Sequence, residues 1–322
     1  MTSPTLTAPA ERAVDCLGVA AGERIAIVHN PAQTAIAAAL AEVVAARGAT
    51  PDVVGFDDLT HNNEEPPPAV AAAIAAATAS FGVTTFSLSH TQARLASTGA
   101  GGRFASLPGI TEELFARALM VDHAAMSADG AALAAQITAA DVCRITCAQG
   151  SDATLSVAGR DGRNDDGALG APGAFGNLPA GEAYVAPVEI AGSGVLVFDA
   201  SVADHGLLDG TLRVRIEDGA IVEADGAIGE WLLKTLDAGG PNGRHVAELG
   251  IGTNPAAQIT GLVLEDEKVR GTVHVAFGAS TGVGGVNDAG VHIDAIMRTP
   301  TLQIGDRIVC EGGAVIPAGR PA

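Results

Sequence analysis

The chain has 322 residues, which is enough for about two domains with a large buried core. Hydrophobic residues make up 48% and charged residues only 17%, so the composition excludes an intrinsically disordered chain. The formal net charge of −19 and the absence of a basic cluster exclude nucleic acid as a partner, because phosphate binding needs grouped lysine and arginine side chains.

The chain also lacks the sequence features of a secreted or membrane protein. Its first residues include proline, glutamate and arginine where a secretion signal needs an apolar core. The most apolar run, residues 69–80, is too short to span a bilayer. The few, scattered cysteines are typical of a reducing compartment. We therefore expect a cytoplasmic protein with no membrane partner.

Residues 1–140 alternate between short apolar runs and helical stretches. The apolar runs predict four strands, at residues 22–30, 50–58, 81–89 and 103–109. Helical segments follow them, at residues 31–48, 66–80, 91–97 and 111–140. Repeated strand–helix units predict an α/β domain with a mostly parallel sheet. No G-x-G-x-x-G follows the first strand, so a dinucleotide cofactor is not expected.

From residue 141 the composition changes. Residues 141–322 are rich in valine, isoleucine and threonine, and Gly-Asp and Asp-Gly pairs of the kind found in hairpin turns separate the apolar runs. One helical segment, residues 229–240, interrupts them. The sequence therefore predicts a second domain at 141–322, which is a β-rich α+β domain.

This second domain contains the side chains that carry chemistry. As a strand, GVHIDAIM places His292 and Asp294 on one face, and GTVHVAFG places His274 within an apolar strand. Glu182 and Glu248 stand in similar apolar contexts with glycines nearby. Carboxylates and imidazoles are the ligands that zinc and related divalent metals prefer. The domain is therefore predicted to hold a metal site.

Several other polar residues have simpler interpretations. The acidic residues 265–267 predict a solvated turn, as charge runs usually do. Ser280 lies in GASTG, which matches a nucleophile elbow, but no helix can follow it, so a nucleophilic role is not expected. His245 remains an alternative ligand that would complete an iron-type triad with the H-x-D pair. His90 ends the third predicted strand, where capping, burial or a ligand role are all open.

In these blocks the sequence resembles the M29 metallo-aminopeptidases, also called aminopeptidase T-like or thermophilic metalloproteases. The resemblance is carried by GNLPAGEAYVAPVE, ELGIGTN, LEDEKVRGTVHVAFG and GVHIDAIM, in that order. It implies a hydrolase of amide or peptide bonds with a dinuclear zinc or cobalt centre, a small peptide or amide substrate and a homo-oligomeric assembly. By the same resemblance, the metal ligands are Glu182, Glu248, His274, His292 and Asp294, with Glu182 and Glu248 also catalytic.

Two departures from the family pattern affect the expected pocket. Thr281 stands where the peptidases have a tyrosine, and the loop between His274 and His292 is shorter. The 2,5-dihydroxypyridine ring-cleaving dioxygenases look like relatives on the same fold. They use one Fe(II) held by two histidines and one aspartate, with a histidine at the position of Glu248. The glutamate here favours the hydrolase, with the dioxygenase and a non-catalytic binding protein as alternatives.

Overall fold

The computed structural model describes residues 6–322 of the chain. The α-helices within these residues are α1 (Thr7–Cys16), α2 (Thr34–Ala46), α3 (Pro68–Ala76), α4 (Gln92–Gly99), α5 (Glu112–Ala118), α6 (His123–Thr138), α7 (Gly226–Ala238) and α8 (Val263–Asp266). The strands are β1 (Arg24–His29), β2 (Thr50–Gly55), β3 (Ala79–Val83), β4 (Arg103–Ser106), β5 (Val142–Thr146), β6 (Asp152–Ser156), β7 (Arg163–Asp165), β8 (Phe175–Asn177), β9 (Glu182–Val185), β10 (Gly192–Phe198), β11 (Ser201–Val202), β12 (Gly206–Leu207), β13 (Leu212–Glu217), β14 (Ala220–Ala224), β15 (Val246–Gly252), β16 (Val273–Gly278), β17 (His292–Met297), β18 (Thr301–Ile304), β19 (Arg307–Glu311) and β20 (Ala314–Pro321).

The chain divides into two compact units. Unit 1 comprises the described residues up to Val121 together with Gly167–Ala180. Unit 2 comprises Asp122–Asp166 and Gly181–Ala322. The boundary proposed from the sequence, at residue 140, lies within unit 2 between α6 and β5.

Unit 1 is built on a five-stranded sheet with the order β2-β1-β3-β4-β8, in which every pair of neighbours is parallel. Four consecutive residues of β1, Ile25 to Val28, are buried on both sides of the strand, as is usual in a parallel sheet. The predicted parallel α/β domain is confirmed. The fifth strand, β8, was not predicted, because it has three residues and comes from a distant segment of the chain.

The helices of unit 1 begin and end at the residues that favour such ends. The side chains of Thr91 and Thr111 accept backbone hydrogen bonds at the starts of α4 and α5. Pro68 is the first residue of α3, where its missing N–H costs little. Gly48 adopts a φ of +77° just after α2, a left-handed conformation that terminates a helix.

Unit 2 contains two antiparallel sheets, which confirms the predicted β-rich α+β region. The eight-stranded sheet has the order β14-β13-β10-β6-β5-β18-β19-β20, and the seven-stranded sheet has the order β12-β11-β17-β16-β15-β9-β7. Their buried side chains form one continuous hydrophobic cluster. Phe198 of β10 and Phe277 of β16 meet edge to face within it, with ring centroids 6.2 Å apart.

Alternation along the strands gives the seven-stranded sheet two different faces. On β16, Val273, Val275 and Phe277 belong to the hydrophobic cluster, so His274 points to the other face. Because one face supplies the apolar contacts that stabilise the unit, the other face can hold polar side chains.

The structure also bears on the predicted environment of the chain. No helix within residues 6–322 is both long and apolar enough to cross a bilayer. All four cysteines, Cys16, Cys143, Cys147 and Cys310, are free thiols. Cys143 is fully buried, and this burial raises the pKa of its thiol to about 12. The cytoplasmic location stays a prediction.

The packing of the two sheets predicts a large effect for Phe198→Ala. Removing a fully buried ring should lower the free energy of unfolding by about 3–5 kcal/mol, measured by urea denaturation, because a cavity remains in the core. Ile190→Ala is the control, since Ile190 is 74% exposed and its loss should change stability by no more than about 0.5 kcal/mol. Equal effects of the two substitutions would contradict this core assignment.

Candidate metal centre

The five side chains predicted as metal ligands lie together in unit 2. They stand on four consecutive strands of the seven-stranded sheet, and the strand register places them on the same face. They are Glu182 on β9, Glu248 on β15, His274 on β16, and His292 and Asp294 on β17. Only the His292 side chain has appreciable exposure, at 29%, so solvent approaches the centre from the side of this histidine.

The carboxylate of Glu248 lies between the two imidazoles. Its Oε1 is 3.6 Å from Nε2 of His274, and its Oε2 is 3.4 Å from Nε2 of His292. Each imidazole nitrogen also faces a second carboxylate: Glu182 Oε2 is 3.2 Å from His274 Nε2, and Asp294 Oδ2 is 3.6 Å from His292 Nε2. Glu248 therefore belongs to both halves of the cluster.

The two shorter separations, 3.2 and 3.4 Å, fit ligands that share a metal ion, and the two of 3.6 Å are slightly longer. Two atoms bound to one ion at about 2.1 Å, with angles between octahedral and tetrahedral, lie roughly 3.0–3.4 Å apart. Oε2 of Glu182 and both ring nitrogens of His274 are buried without a hydrogen-bond partner, as expected where a cation binds. Three groups within residues 6–322 have ligand atoms close enough to hold an ion, namely Glu182–Glu248–His274, Glu248–His292–Asp294 and Glu267–His274–Asp294.

The two histidines are positioned by different means. Nδ1 of His292 lies 2.7 Å from the backbone oxygen of Ala279, and an N–H there would leave Nε2 free to bind a metal. The ring of His274 lies over Gly250, where an added Cβ would come within 2.1 Å of Nε2. Gly250 is therefore needed because any side chain at this position would occupy the space of the imidazole.

Lys268 is a central residue of the site that the sequence interpretation missed. Its side chain is almost fully buried, and its Nζ lies 2.5 Å from Glu182 Oε1, 2.9 Å from Glu267 Oε1 and 3.4 Å from Asp165 Oδ2. Burial alone would lower the pKa of this ammonium, but the surrounding carboxylates raise it well above its ordinary value. Lys268 is thus a fixed positive charge beside the predicted ligand Glu182.

The electrostatics of the ligands follow from this arrangement. Burial would raise the pKa of Glu182, but Lys268 and His274 lower it to about 2. Glu267 is different, because burial dominates and raises its pKa to about 8. Burial would lower the pKa of His274, but the neighbouring carboxylates raise it well above its usual range. Without a bound metal, a protonated imidazole of His274 would provide the positive charge that metal ions would otherwise supply.

The prediction that residues 265–267 form a solvated turn is wrong. Glu265, Asp266 and Glu267 are all buried in and just after α8. Oδ1 and Oδ2 of Asp266 accept hydrogen bonds from the backbone of the preceding loop, and Oδ2 accepts one from the hydroxyl of Ser201. The run is buried because two of its acids anchor the loop and the third pairs with Lys268.

The remaining candidates lie outside the three groups that could hold a metal ion. His245 is placed by its Nδ1 contact of 3.0 Å with the backbone oxygen of Glu189, and it belongs to none of the three groups within the described residues. Ser280 is buried, and its hydroxyl accepts a hydrogen bond from the backbone of Asn287, which is a structural role. A short 3-10 turn, not an α-helix, follows Ser280. His90 is exposed and belongs to unit 1, whereas the predicted metal ligands belong to unit 2.

Gly250→Ala tests the placement of His274. The added methyl group would overlap the imidazole, so we expect a loss of about 1–3 kcal/mol in unfolding free energy together with weaker metal binding. Metal affinity is measured by competition with a chromogenic chelator. Gly99→Ala is the matched control, because an added Cβ there has open space and no left-handed backbone. Unchanged metal affinity in Gly250→Ala would contradict the proposed position of the ring.

Lys268→Met tests the role of the buried ammonium. Removing it leaves buried carboxylates without their partner, which should cost about 3–5 kcal/mol of stability in the metal-free protein. Zinc should then raise the melting temperature more in the variant than in the wild type, because the added cation replaces the lost charge. Lys234→Met is the control, because Lys234 is the only other lysine of the chain and is exposed. This substitution should leave the melting temperatures with and without zinc unchanged. A neutral effect of Lys268→Met would contradict the ion pairing.

Comparison with known proteins identifies both the fold and the family. The sequence matches the family model NicX: 2,5-dihydroxypyridine 5,6-dioxygenase over residues 6–317. The structure of 2,5-dihydroxypyridine dioxygenase from Pseudomonas putida KT2440 is similar with a TM-score of 0.84, 19% identity and 99% of each chain covered. Wild-type AmpT from Thermus thermophilus is similar with a TM-score of 0.71, 18% identity, and 97% of this chain and 98% of that chain covered. No curated protein matches the sequence.

These findings support part of the expected resemblance and correct another part. The likeness to AmpT supports the fold expected from the M29 metallo-aminopeptidases, and at such low identity it shows the fold alone. The family itself is not the one expected, because the model that covers nearly the whole chain is the dioxygenase model. The chain belongs to the family described as NicX: 2,5-dihydroxypyridine 5,6-dioxygenase.

Proposed function

We propose that this chain is a metal-dependent hydrolase of amide bonds whose centre holds two divalent ions, zinc or cobalt. The observation that carries the proposal is the shared position of Glu248, which has one imidazole against each carboxylate oxygen. Two groups of three ligand atoms meet at this carboxylate, one with Glu182 and His274 and one with His292 and Asp294. A bridging ligand between two such groups is what a two-ion hydrolytic centre requires.

The residues around the centre support distinct roles. Divalent ions in such a centre polarise a carbonyl group and lower the pKa of a bound water. Lys268 binds one oxygen of Glu182 and leaves the other free, and the lowered pKa makes this carboxylate a weak base. Glu182 therefore serves better as a ligand than as a general base. The partly exposed His292 marks the side from which a small amide substrate would enter.

A second candidate is a mononuclear Fe(II) ring-cleaving dioxygenase of the 2,5-dihydroxypyridine type. Family membership favours it, and the higher of the two TM-scores is with such an enzyme. The ligand chemistry favours the hydrolase, because iron oxygenases of this kind use two histidines and one carboxylate. Each of the three groups found in residues 6–322 has one histidine and two carboxylates instead.

Glu182→Gln separates the two candidates, because only the two-ion centre needs this carboxylate. Wild-type protein reconstituted with zinc or cobalt should bind about two ions per chain, measured by mass spectrometry, and hydrolyse short amides. The variant should retain about one ion and lose at least about 100-fold in hydrolysis, more than loss of an outer partner costs. Glu223→Gln, an exposed carboxylate on β14, is the control.

The other outcomes are equally specific. One tightly bound iron per chain, with oxygen uptake on 2,5-dihydroxypyridine that Glu182→Gln leaves intact, would establish the dioxygenase. Failure to take up any metal would exclude both enzymes and leave a binding protein on this fold. Two bound ions and amide hydrolysis in both Glu182→Gln and the wild type would contradict the ligand role of Glu182.

A further inference from the structure

Arg163 lies on the same sheet face as the candidate metal centre. It begins β7, the edge strand of the seven-stranded sheet, and pairs with Tyr184 of β9. Tyr184 pairs in turn with Gly250, and Gly250 pairs with His274. Directly paired residues share a face, and neighbouring strands lie about 4.8 Å apart, so Arg163 stands roughly 10 Å from the glycine beneath the His274 ring.

A cavity of about 350 Å³ opens beside Arg163, entirely within unit 2. Ala186, Val283 and Val286 contribute apolar walls, and Arg160 and Arg163 contribute positive charge. The volume is at the lower end of the range for small-molecule sites. Asp161 also lines the cavity and is exposed to solvent. The space therefore suits a small fragment that carries one anionic group.

The two arginines of the cavity have different roles. Arg160 Nη2 lies 2.5 Å from Glu189 Oε2, and this pair is largely shielded from solvent. Most arginines within residues 6–322 are likewise paired with a carboxylate, as expected in so acidic a chain. The guanidinium of Arg163 has no hydrogen-bond or ion-pair partner among the described residues. It therefore has its full set of donors available to a ligand.

One loop connects this cavity to the metal centre. The loop between β16 and β17 supplies Val283, Gly284 and Val286 to the cavity wall, and it begins just after the strand of His274. Glu189 holds the loop by accepting a hydrogen bond of 2.8 Å from the backbone of Val286. The guanidinium of Arg163 lies against Gly284, where an added Cβ would come within 2.8 Å of Nη2. The cavity wall is thus fixed in relation to the metal ligands.

We infer that Arg163 and this cavity bind the carboxylate of an anionic substrate whose amide group lies at the metal centre. A guanidinium binds a carboxylate through two parallel hydrogen bonds, which fixes the orientation of the bound molecule. The inference rests on the proposed hydrolase activity for the amide, but the carboxylate subsite is a separate property of the protein. The substrate class is a short acid amide, such as the monoamide of a small dicarboxylic acid.

Direct binding measurements test the subsite without relying on turnover. The zinc-reconstituted full chain is titrated calorimetrically with malonamate, succinamate and glutaramate, and with the corresponding uncharged diamides. Wild-type protein should bind at least one of the acids about tenfold or more tightly than its diamide, as expected for a charge-assisted pair. Arg163→Gln should reduce this preference to less than about twofold, and Arg163→Lys should restore part of it.

A carboxylate that binds the zinc ions instead would keep its advantage in Arg163→Gln, and this outcome would overturn the inference. Absence of any preference for the acids in the wild type would overturn it too. Arg12→Gln, at an exposed arginine on α1 in unit 1, is the matched control and should bind like the wild type. Hydrolysis of amides with no dependence on Arg163 would refute the subsite alone. A preference that depends on Arg163, in a protein that hydrolyses no amide, would refute the proposed function alone.

Discussion

Unit 2 is arranged around an excess of negative charge against one face of a buried sheet. The carboxylates of Asp165, Glu182 and Glu267 lie against the ammonium of Lys268. Two more carboxylates, those of Glu248 and Asp294, lie against the two imidazoles of the site. Buried charges are tolerated only when they are paired or bind metal ions. With every carboxyl group ionised, four negative charges remain after the ammonium is counted, and two divalent ions would neutralise them. In the protein alone, raised pKa values on His274, His292 and Glu267 compensate part of this charge.

The fold keeps this charge apart from the apolar contacts that stabilise unit 2. Alternate residues of the central strands pack against the eight-stranded sheet, so the structural core is apolar and continuous. The polar face then needs only local adjustments, such as Gly250 beneath the His274 ring and the buried segment just after α8 that contains Lys268. The same face continues to β7, where Arg163 adds a positive group at the edge of the sheet. The predicted metal ligands and the proposed substrate carboxylate site are thus two parts of one surface.

Local patterns in the sequence predict part of this arrangement. The alternation of polar and apolar residues places His292 beside Asp294 and separates His274 from its apolar neighbours, because the period of a strand is a local property. The order of the strands in the sheet is not a local property. The sequence alone therefore does not predict that Glu248 lies between the two histidines. The position of Lys268 was missed for the same reason, since a charge run becomes a buried network only when distant acids meet it. Each of the three candidate ligand groups has one histidine and two carboxylates, whereas the chain as a whole belongs to a dioxygenase family.

In the proposed centre two metal ions would share Glu248, and anomalous X-ray diffraction tests this arrangement most directly. Crystals of the zinc-loaded protein would be measured above and below the zinc absorption edge. We predict two anomalous peaks, one among Glu182, Glu248 and His274 and one among Glu248, His292 and Asp294. A single peak, or peaks that Glu248 does not contact, would contradict the two-ion centre.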